Sequence, residues 1–254
     1  MFRQVNRLVF QAVLIGGLGL LLQAAQAPVE MVKVPAGVFT PQFSPRPGQK
    51  DFQVKSFWLD ARPVNRAEFL EFVRKYPQWR RSQVPPLFQE GNYLADWQGD
   101  LSLPLPSQEV KQPELQAVTG VSWMAARAYC DAQKKRLPKL LEWEYAADET
   151  DPEKLSWYSL VGIGIPVQAG VAAPNQKGIY DLHHMYEWVD DFNQVIMTND
   201  SREGAEKDNQ LFCGNSGSAT DRMNYAAFTR YAFWSSLHPS YTLKNLGFRC
   251  ARDL

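Results

Sequence analysis

The sequence of 254 residues has little cysteine and histidine and no excess charge of either sign. It contains three Cys, three His, 27 basic residues and 27 acidic residues, which gives a formal net charge of zero. A nucleic-acid-binding protein needs a basic excess to neutralise phosphates, and this chain has none. The sequence also lacks an H-E-x-x-H zinc motif, a G-x-S-x-G elbow, a phosphate-binding P-loop and a G-x-G-x-x-G turn. These absences count against zinc hydrolases, serine hydrolases and nucleotide-binding enzymes.

The rest of the composition is ordinary for a globular protein, with 45% hydrophobic and 21% charged residues. The length fits one domain with a substantial core, or at most two small ones, and no internal repeat is visible. Aromatic residues are abundant, with eight Trp and 14 Phe. Large aromatic side chains suit a fold in which much irregular backbone is held in place by packing.

The first 27 residues have the pattern of a secretory signal. Arg3 and Arg7 precede an apolar run from Leu8 to Leu22, and Ala25-Gln26-Ala27 forms an A-x-A cleavage site. The run is shorter than the ~20 residues that a spanning helix needs. Pro28 disfavours cleavage directly after Ala27, so cleavage after Ala24 and retention as a membrane anchor are both open. We expect export, to the periplasm if the source is bacterial, with residues 28–254 forming one domain.

The stretch from Val121 to Asp148 predicts two helices that meet at a basic elbow, Lys134-Lys135-Arg136. Ser122 is a good N-cap for the first helix, which should end near Lys135 because Pro138 disfavours helical geometry in the residue before it. A short second helix follows. Apolar residues fall at i, i+3 and i+7 in each helix, namely Trp123, Ala126 and Cys130 in the first and Leu140, Trp143 and Ala147 in the second.

Strand and helix patterns alternate before this stretch, so the residues alone predict a mixed α and β fold with much loop. Met31 to Thr40 is predicted to be a strand that bends at Pro35 and Gly37, and Val54 to Leu59 a second strand. A helix capped by Asn65 and Glu68 should follow and end at Tyr76-Pro77. Residues 78–118 predict a long loop anchored by Trp79, Phe88, Tyr93 and Trp97. Arg80 and Arg81 in this loop are predicted to be solvated, although they could hold an anion.

Four motifs in order carry a family resemblance. The segment Met31–Gly37 reads M-V-K-V-P-A-G, and Val64–Phe69 begins the first predicted helix. Val121–Ala147 contains V-S-W-M-A-A-R-A-Y-C, K-R-L-P and E-W-E-Y-A-A, and Asn245–Ala251 reads N-L-G-F-R-C-A. Together these motifs resemble the signature of the formylglycine-generating enzyme (sulfatase-modifying factor) family. The resemblance implies an α+β domain of the formylglycine-generating-enzyme fold, related to C-type lectins, with much irregular structure. It also implies that Asn245–Ala251 is the closing strand of that fold.

The resemblance also implies a pairing for two of the cysteines. Export favours disulfides, and an odd count of Cys leaves one thiol unpaired. In the family, the positions of Cys130 and Cys250 are bridged, so the resemblance implies a disulfide between them. Cys213 is then the free thiol.

The family's calcium-binding turn is only partly present. Gly178–Trp188 resembles the segment G-L-Y-D-M-x-G-N-V-W-E-W, in which backbone carbonyls, an Asn and the Glu hold calcium. Here the segment is one residue shorter, and His184-Met185 replaces Gly-Asn. Glu187 is the one recognisable ligand, with Asp190 and Asp191 nearby, and calcium requires six to eight oxygens. We therefore expect at most a residual calcium ligand in Glu187, and no bound calcium.

The histidines do not form a metal cluster in the sequence. Adjacent residues of a strand point to opposite faces, so His183 and His184 should not bind one ion together. His238 is the third histidine. We expect these residues to be core or surface histidines.

The copper-binding cysteines of the family are absent. In a formylglycine-generating enzyme, two cysteines after a G-G-S segment bind copper(I) while oxygen oxidises a substrate cysteine. Leu211–Ser218 resembles that segment, and the two positions fall near Asp221 and Ala226. Soft thiolates select Cu(I), and Cys213 alone cannot supply two of them. We predict no bound copper and no formylglycine synthesis by the usual mechanism.

Three functional hypotheses follow. The first is an exported accessory or maturation factor that binds a protein or peptide partner; the segments 222–230 and 231–236 are predicted to be strands suited to such binding. The second is an oxidoreductase of altered chemistry on the same fold, as in pyoverdine maturation. The third is a copper or redox role for Cys213, with Met185, Met197 or Met223 as soft neighbours. A membrane partner is expected only if the N-terminal segment stays uncleaved.

Overall fold

The structure is a computed structural model that describes residues 30–41, 49–147, 169–170, 173–182, 184–192 and 230–254. The strands are β1 (Met31–Val34), β2 (Gly37–Phe39), β3 (Phe52–Val54), β4 (Phe57–Asp60), β5 (Tyr186–Glu187), β6 (Leu246–Gly247) and β7 (Ala251–Asp253). The α-helices with defined bounds are α1 (Arg66–Lys75), α2 (Trp123–Ala132) and α3 (Leu140–Ala147), and residues 230–235 are also helical. Three short 3₁₀ helices lie at Pro77–Trp79, Pro86–Phe88 and Pro113–Leu115.

The sheet that joins the two ends of the domain has the order β1-β4-β7, with both pairs antiparallel. Side chains alternate across it, so Phe57 and Leu59 of β4 point into the core while Trp58 points outward. The backbone of Arg136 exchanges two hydrogen bonds with Ala251 and covers the outer edge of β7. The final residues of the chain are thereby held between β4 and the elbow that follows α2.

Two smaller pairs complete the strands. β2 and β3 form an antiparallel pair, and β5 and β6 form a short parallel pair. The second pair needs Gly247, because a Cβ atom there would lie 2.7 Å from the carbonyl oxygen of Val118. The bend predicted at Pro35 and Gly37 is present, but the single strand predicted from Met31 to Thr40 is wrong, because the bend divides it into β1 and β2, which pair with different strands.

Two further predicted strands differ from the structure. The single strand predicted from Val54 to Leu59 is wrong, because β3 ends at Val54 and β4 begins at Phe57. The two halves pair with different partners, β2 and β1, which requires a break between them. The closing motif from Asn245 to Ala251 is likewise divided between β6 and β7, with Phe248 to Cys250 between them outside any strand.

The first helix follows its sequence signals closely. The side chain of Asn65 accepts a hydrogen bond from the amide of Glu68, and the Glu68 carboxylate accepts one from the amide of Asn65. This capping box satisfies two amides that the helix itself cannot pair. Phe69, Phe72 and Val73 are buried as predicted, and Tyr76 is the C-cap.

The second helix begins as predicted but ends earlier. Ser122 accepts a hydrogen bond from the amide of Ala125, while the helix ends at Ala132 instead of near Lys135. Lys134 adopts the left-handed conformation with φ +57°, which turns the chain away from the helix axis. The turn lets the ammonium of Lys135 reach Asp60, so this ion pair helps fix where the helix ends.

One aromatic core connects α1, α2 and the chain's end. The ring centroids of Phe69 and Tyr129 are 5.9 Å apart, and those of Tyr129 and Phe248 are 5.3 Å apart. The disulfide between Cys130 and Cys250 crosses the same core, with both residues fully buried and their Cα atoms 5.6 Å apart. It is the pairing that the family resemblance implied.

The long connection between α1 and α2 is ordered by aromatic residues. Tyr93 and Trp97 are 2% exposed, and the rings of Trp79 and Phe88 stack with centroids 6.1 Å apart. Arg80 and Arg81 donate hydrogen bonds to backbone carbonyls, Arg81 to that of Trp97 at 2.7 Å. Their contacts are those of structural residues. Among the helices in the ranges given above, none has both the length and the apolar character to cross a bilayer.

Candidate functional site

The region of the family's functional motifs is built around a buried ion pair between Glu187 and Arg249. Arg249 donates from Nε to one carboxylate oxygen of Glu187 and from Nη2 to the other, both at 2.7 Å. Trp143 of α3 adds a third hydrogen bond to the carboxylate, at 2.9 Å. Both charged side chains are 0% exposed. This two-point geometry is the strong, directional form of an Arg–carboxylate contact.

The guanidinium of Arg249 also binds three backbone carbonyls from two other segments of the chain. Nη1 donates to the carbonyl oxygens of Asp60 and Ala61, at 3.2 and 3.4 Å, and Nη2 donates to that of Tyr180 at 2.8 Å. These carbonyls lie at the end of β4 and in the turn before β5. Arg249 therefore fixes the closing segment of the chain against the turn that resembles the family's calcium-binding segment.

The residues present do not fit the calcium ion that the family resemblance raised for Glu187. Both of its oxygens already accept hydrogen bonds from Arg249 and Trp143, and the guanidinium supplies the balancing charge. Asp191 accepts a hydrogen bond from the amide of Leu140 at 2.6 Å, and burial raises the pKa of its carboxyl. Within the ranges that the structure describes, no three His, Cys, Asp or Glu residues lie close enough to hold a metal. The cluster is a structural ion pair.

A second buried ion pair, between Arg230 and Glu144, holds the helical residues 230–235 against α3. Arg230 donates from Nε and Nη2 to the two carboxylate oxygens of Glu144, at 2.7 and 2.8 Å. The helical residues 230–235 also include Trp234, whose indole donates to the carbonyl of Glu187 at 3.0 Å. The rings of Trp234 and Trp143 meet edge to face, with centroids 5.3 Å apart.

This helix corrects the strand prediction for residues 231–236, because residues 230–235 are helical. The physical reason is the spacing of the buried side chains. Arg230, Tyr231 and Trp234 are all at most 8% exposed, and Trp234 follows the other two by four and three residues, which places it beside both on a helix. The part of the prediction that covers residues 222–229 lies outside the described residues.

Asp60 forms a third buried polar contact, next to the disulfide. One of its oxygens accepts from the ammonium of Lys135 at 2.6 Å, and the other accepts from the amide of Cys250 at 3.0 Å. Burial raises the pKa of the Asp60 carboxyl, and the nearby Lys135 charge opposes this effect. Asp60 thus links β4, the elbow and the closing segment at one point.

Several predicted site residues lie outside the described residues, namely Cys213, the positions near Asp221 and Ala226, His183, Met197 and Met223. His184 is described and its side chain is 46% exposed, as expected for a surface histidine. His238 is also exposed, whereas Met185 is buried against Gly247. The structure therefore does not bring the two described histidines or Met185 into a metal-binding cluster.

Sequence reasoning missed the Glu187–Arg249 pair, although one signal for it exists. Arg249 lies in the apolar motif N-L-G-F-R-C-A, and an arginine inside a buried motif must be paired. Nothing in the sequence shows which carboxylate is the partner, because Glu187 lies 62 residues away in the chain. The same holds for Glu144 and Arg230, which are separated by 86 residues.

One groove in the described part of the chain lies between the C-terminal ends of α1 and α2. Its volume is about 480 Å³, and it is lined by Glu68, Glu71, Phe72, Arg74, Lys75, Tyr76, Ala132 and Gln133. The ammonium of Lys75 lies 5.4 Å from the centre of the Tyr76 ring. The groove thus combines an aromatic wall with charges of both signs.

These features define an α+β domain whose mostly irregular backbone is fixed by buried tryptophans, buried ion pairs and a disulfide. A family profile described as "Sulfatase-modifying factor enzyme 1-like domain" matches residues 19–162 and 164–254. The chain therefore belongs to the sulfatase-modifying factor, or formylglycine-generating enzyme, family. The family resemblance seen in the sequence motifs is confirmed.

Two relatives and one solved structure illustrate the similarity. The chain is 26% identical to "Formylglycine-generating enzyme" of Bos taurus over 291 aligned positions, which cover 89% of this chain and 75% of the relative. It is 28% identical to "Inactive C-alpha-formylglycine-generating enzyme 2" of Bos taurus, with 88% of each chain covered. The structure of PvdO from Pseudomonas aeruginosa aligns with a TM-score of 0.48 at 21% identity, covering 88% of this chain and 94% of PvdO.

Proposed function

We propose that this chain is an exported accessory or maturation factor of the sulfatase-modifying factor family that does not synthesise formylglycine. The observation that carries the proposal is the number of cysteines that remain outside the disulfide. The chain has three cysteines, and the buried disulfide between Cys130 and Cys250 uses two of them. Cys213 is then the one thiol available for chemistry.

One thiol does not suffice for the reaction that the family resemblance implies. That reaction needs two thiolates on one copper(I) ion, because soft sulfur ligands in a linear pair select this metal. The positions expected to supply them hold Asp221 and Ala226, and no Cys lies between Gly214 and Arg249. A relative whose name describes it as inactive, at 28% identity, supports the idea that the fold of the family occurs in proteins without the activity.

The test is an assay for aldehyde formation on a C-x-P-x-R peptide in the presence of copper(I), oxygen and a reductant. We expect no aldehyde by mass spectrometry, under conditions in which an active formylglycine-generating enzyme converts the same peptide. The Cys213→Ser variant is the matched control. Turnover by the wild-type chain that this variant lacks would overturn the proposal, because it would show that Cys213 supports the oxidation.

The accessory role is tested separately by crosslinking the tagged chain in its own exported compartment. We expect a specific protein or peptide partner to be recovered, with the same partner from wild type and from Cys213→Ser. Oxygen consumption with a small metabolite, in the absence of any partner, would instead support an oxidoreductase of altered chemistry on the same fold. The two outcomes are distinguishable because the first needs no turnover.

A further inference from the structure

The outer face of the three-stranded sheet carries an aromatic ring between two cations. Lys33 of β1, Trp58 of β4 and Arg252 of β7 are directly opposite one another in the register of the sheet. Lys33 and Arg252 are exposed and Trp58 is partly exposed. The guanidinium of Arg252 lies 6.0 Å from the centre of the Trp58 ring. We call these three residues the basic row.

The basic row carries positive charge that no ion pair balances within the described part of the chain. Two acidic residues at the ends of its strands are already engaged, since Asp253 pairs with Arg136 and Asp60 pairs with Lys135, and the exposed Glu30 before β1 is the remaining one. Lys55, just before β4, is also exposed and contributes a further positive charge close to Asp253. This face of the sheet is therefore suited to an anionic surface.

The sequence before β1 brings a second observation to the same place. An apolar run from Leu8 to Leu22 follows Arg3 and Arg7, and only seven residues, none of them charged, separate it from Glu30. The run itself is too short to span a bilayer, but the charge-free stretch of 22 residues from Leu8 to Val29 is long enough. Seven residues span at most about 25 Å, so a membrane that holds the run must lie close to the start of β1. Pro28 disfavours cleavage after Ala27. The two arginines would stay on the cytoplasmic side, with the domain on the other side of the membrane.

We propose that the N-terminal segment is retained as an anchor and that the basic row docks on anionic phospholipid of the same membrane. A basic residue next to an anionic bilayer favours contact by about five-fold, so Lys33 and Arg252 together favour it by about 25-fold. A tryptophan placed between them adds the amphipathic ring that is typical of membrane interfaces. Anchor and row act together, because the anchor holds the row near the bilayer and so raises its effective concentration at that surface. The proposal shares with the function proposed above only the export of the domain, and it does not depend on the accessory role.

The test compares the full chain reconstituted in phosphatidylcholine vesicles with and without phosphatidylglycerol. Lysine acylation is mapped by mass spectrometry, with Lys33 as the reporter and the exposed Lys50 and Lys111 as internal controls. We expect acylation of Lys33 to fall several-fold on the anionic vesicles and to recover at high salt, while Lys50 and Lys111 react equally on both. Equal reactivity of Lys33 on the two vesicle types would overturn the proposal.

A matched pair of variants tests whether the row itself makes the contact. Arg252→Glu is expected to restore Lys33 acylation on anionic vesicles, whereas Lys111→Glu, with the same change of charge, is expected to leave it low. Thermal unfolding of each variant checks that the fold is kept. Protection of Lys33 that survives Arg252→Glu would contradict the proposal. Stronger protection by an acidic peptide on neutral vesicles would assign the row to a protein partner instead.

The anchor is tested by the intact mass of the protein recovered from its cells. We expect the mass of the uncleaved chain in the membrane fraction. A mass that corresponds to cleavage after Ala24 or Ala27 would overturn the anchored arrangement.

Discussion

The carboxylate of Glu187 forms a structural ion pair at a position where the family's turn has a metal ligand. In the family's turn a glutamate at this position is a metal ligand, whereas here its carboxylate is filled by the guanidinium of Arg249 and the indole of Trp143. A buried carboxylate has to be balanced by some cation, and Arg249 supplies that charge. The pair is therefore best understood as a fixed structural contact that joins the turn to the closing segment.

Removing the charge of Glu187 should be costly. Glu187→Gln leaves the fully buried Arg249 without a counter-charge, so we expect the free energy of unfolding to fall by about 3 kcal/mol. Denaturant unfolding with an unchanged slope measures this loss. The matched control is Glu71→Gln in the exposed Glu71–Arg74 pair, which should cost less than about 1 kcal/mol. Equal losses in the two variants would refute the structural role of the buried pair.

Asp253 should make the stability depend on pH in the acid range. The hydrogen bond from Arg136 holds the pKa of its carboxyl below the ordinary value of 3.8. The charged form is thus favoured by folding, and its contribution is present above 3.8 and lost as the pH falls through the lowered pKa. We expect Asp253→Asn to lower the free energy of unfolding slightly at pH 7, because the pair is exposed, and to have no effect in strong acid. Unfolding curves across this range measure the difference. A difference that grows as the pH falls would contradict the assignment.

At the scale of elements, capping decides where the first helix begins. Asn65→Ala removes the acceptor for the amide of Glu68, so we expect a loss of about 1 kcal/mol in the free energy of unfolding. Asn65→Ser keeps an acceptor at the cap and should recover most of this loss. Thermal or denaturant unfolding of the two variants makes the comparison. Equal stability of Ala and Ser at this position would show that the cap contributes nothing.

The elements that sequence predicts well are those with local signals. The caps at Asn65 and Ser122 and the buried stripes of α1, α2 and α3 lie within a few residues of one another, so the chain itself displays them. The end of α2 and the break between β3 and β4 depend on distant partners, Asp60 for Lys135 and two different strands for β3 and β4. The helix at residues 230–235 was missed for the same reason, because Glu144 and Trp143 hold it from another part of the chain.

At the scale of the whole molecule, residues 245–254 connect distant parts of the domain to one another. β7 adds to the first sheet, Arg249 binds Glu187, and Cys250 is joined to Cys130 across a separation of 120 residues. Closing a loop of this length removes unfolded-state entropy worth roughly 4 to 5 kcal/mol in the chain-entropy model. The site residues that sequence could identify here were the cysteines, because their positions came from family motifs. The buried ion pairs, Glu187–Arg249 and Glu144–Arg230, could be identified only from the structure.

The membership of the sulfatase-modifying factor family and the missing thiolate pair are compatible because they concern different parts of the molecule. The described contacts that build the frame involve the disulfide, the tryptophans and the buried ion pairs. None of these contacts requires a second free thiol. A chain can therefore keep the fold of the family without the two thiolates that the family's oxidation chemistry needs. This is the basis of the proposed accessory role.

The most direct test of this account is a thiol count on the unfolded, unreduced chain, with the reactive position mapped by mass spectrometry. We predict one reactive thiol per chain, at Cys213, and two more after reduction, at Cys130 and Cys250. Three thiols before reduction, or a disulfide that involves Cys213, would contradict the account, because the chain could then offer a different set of sulfur ligands.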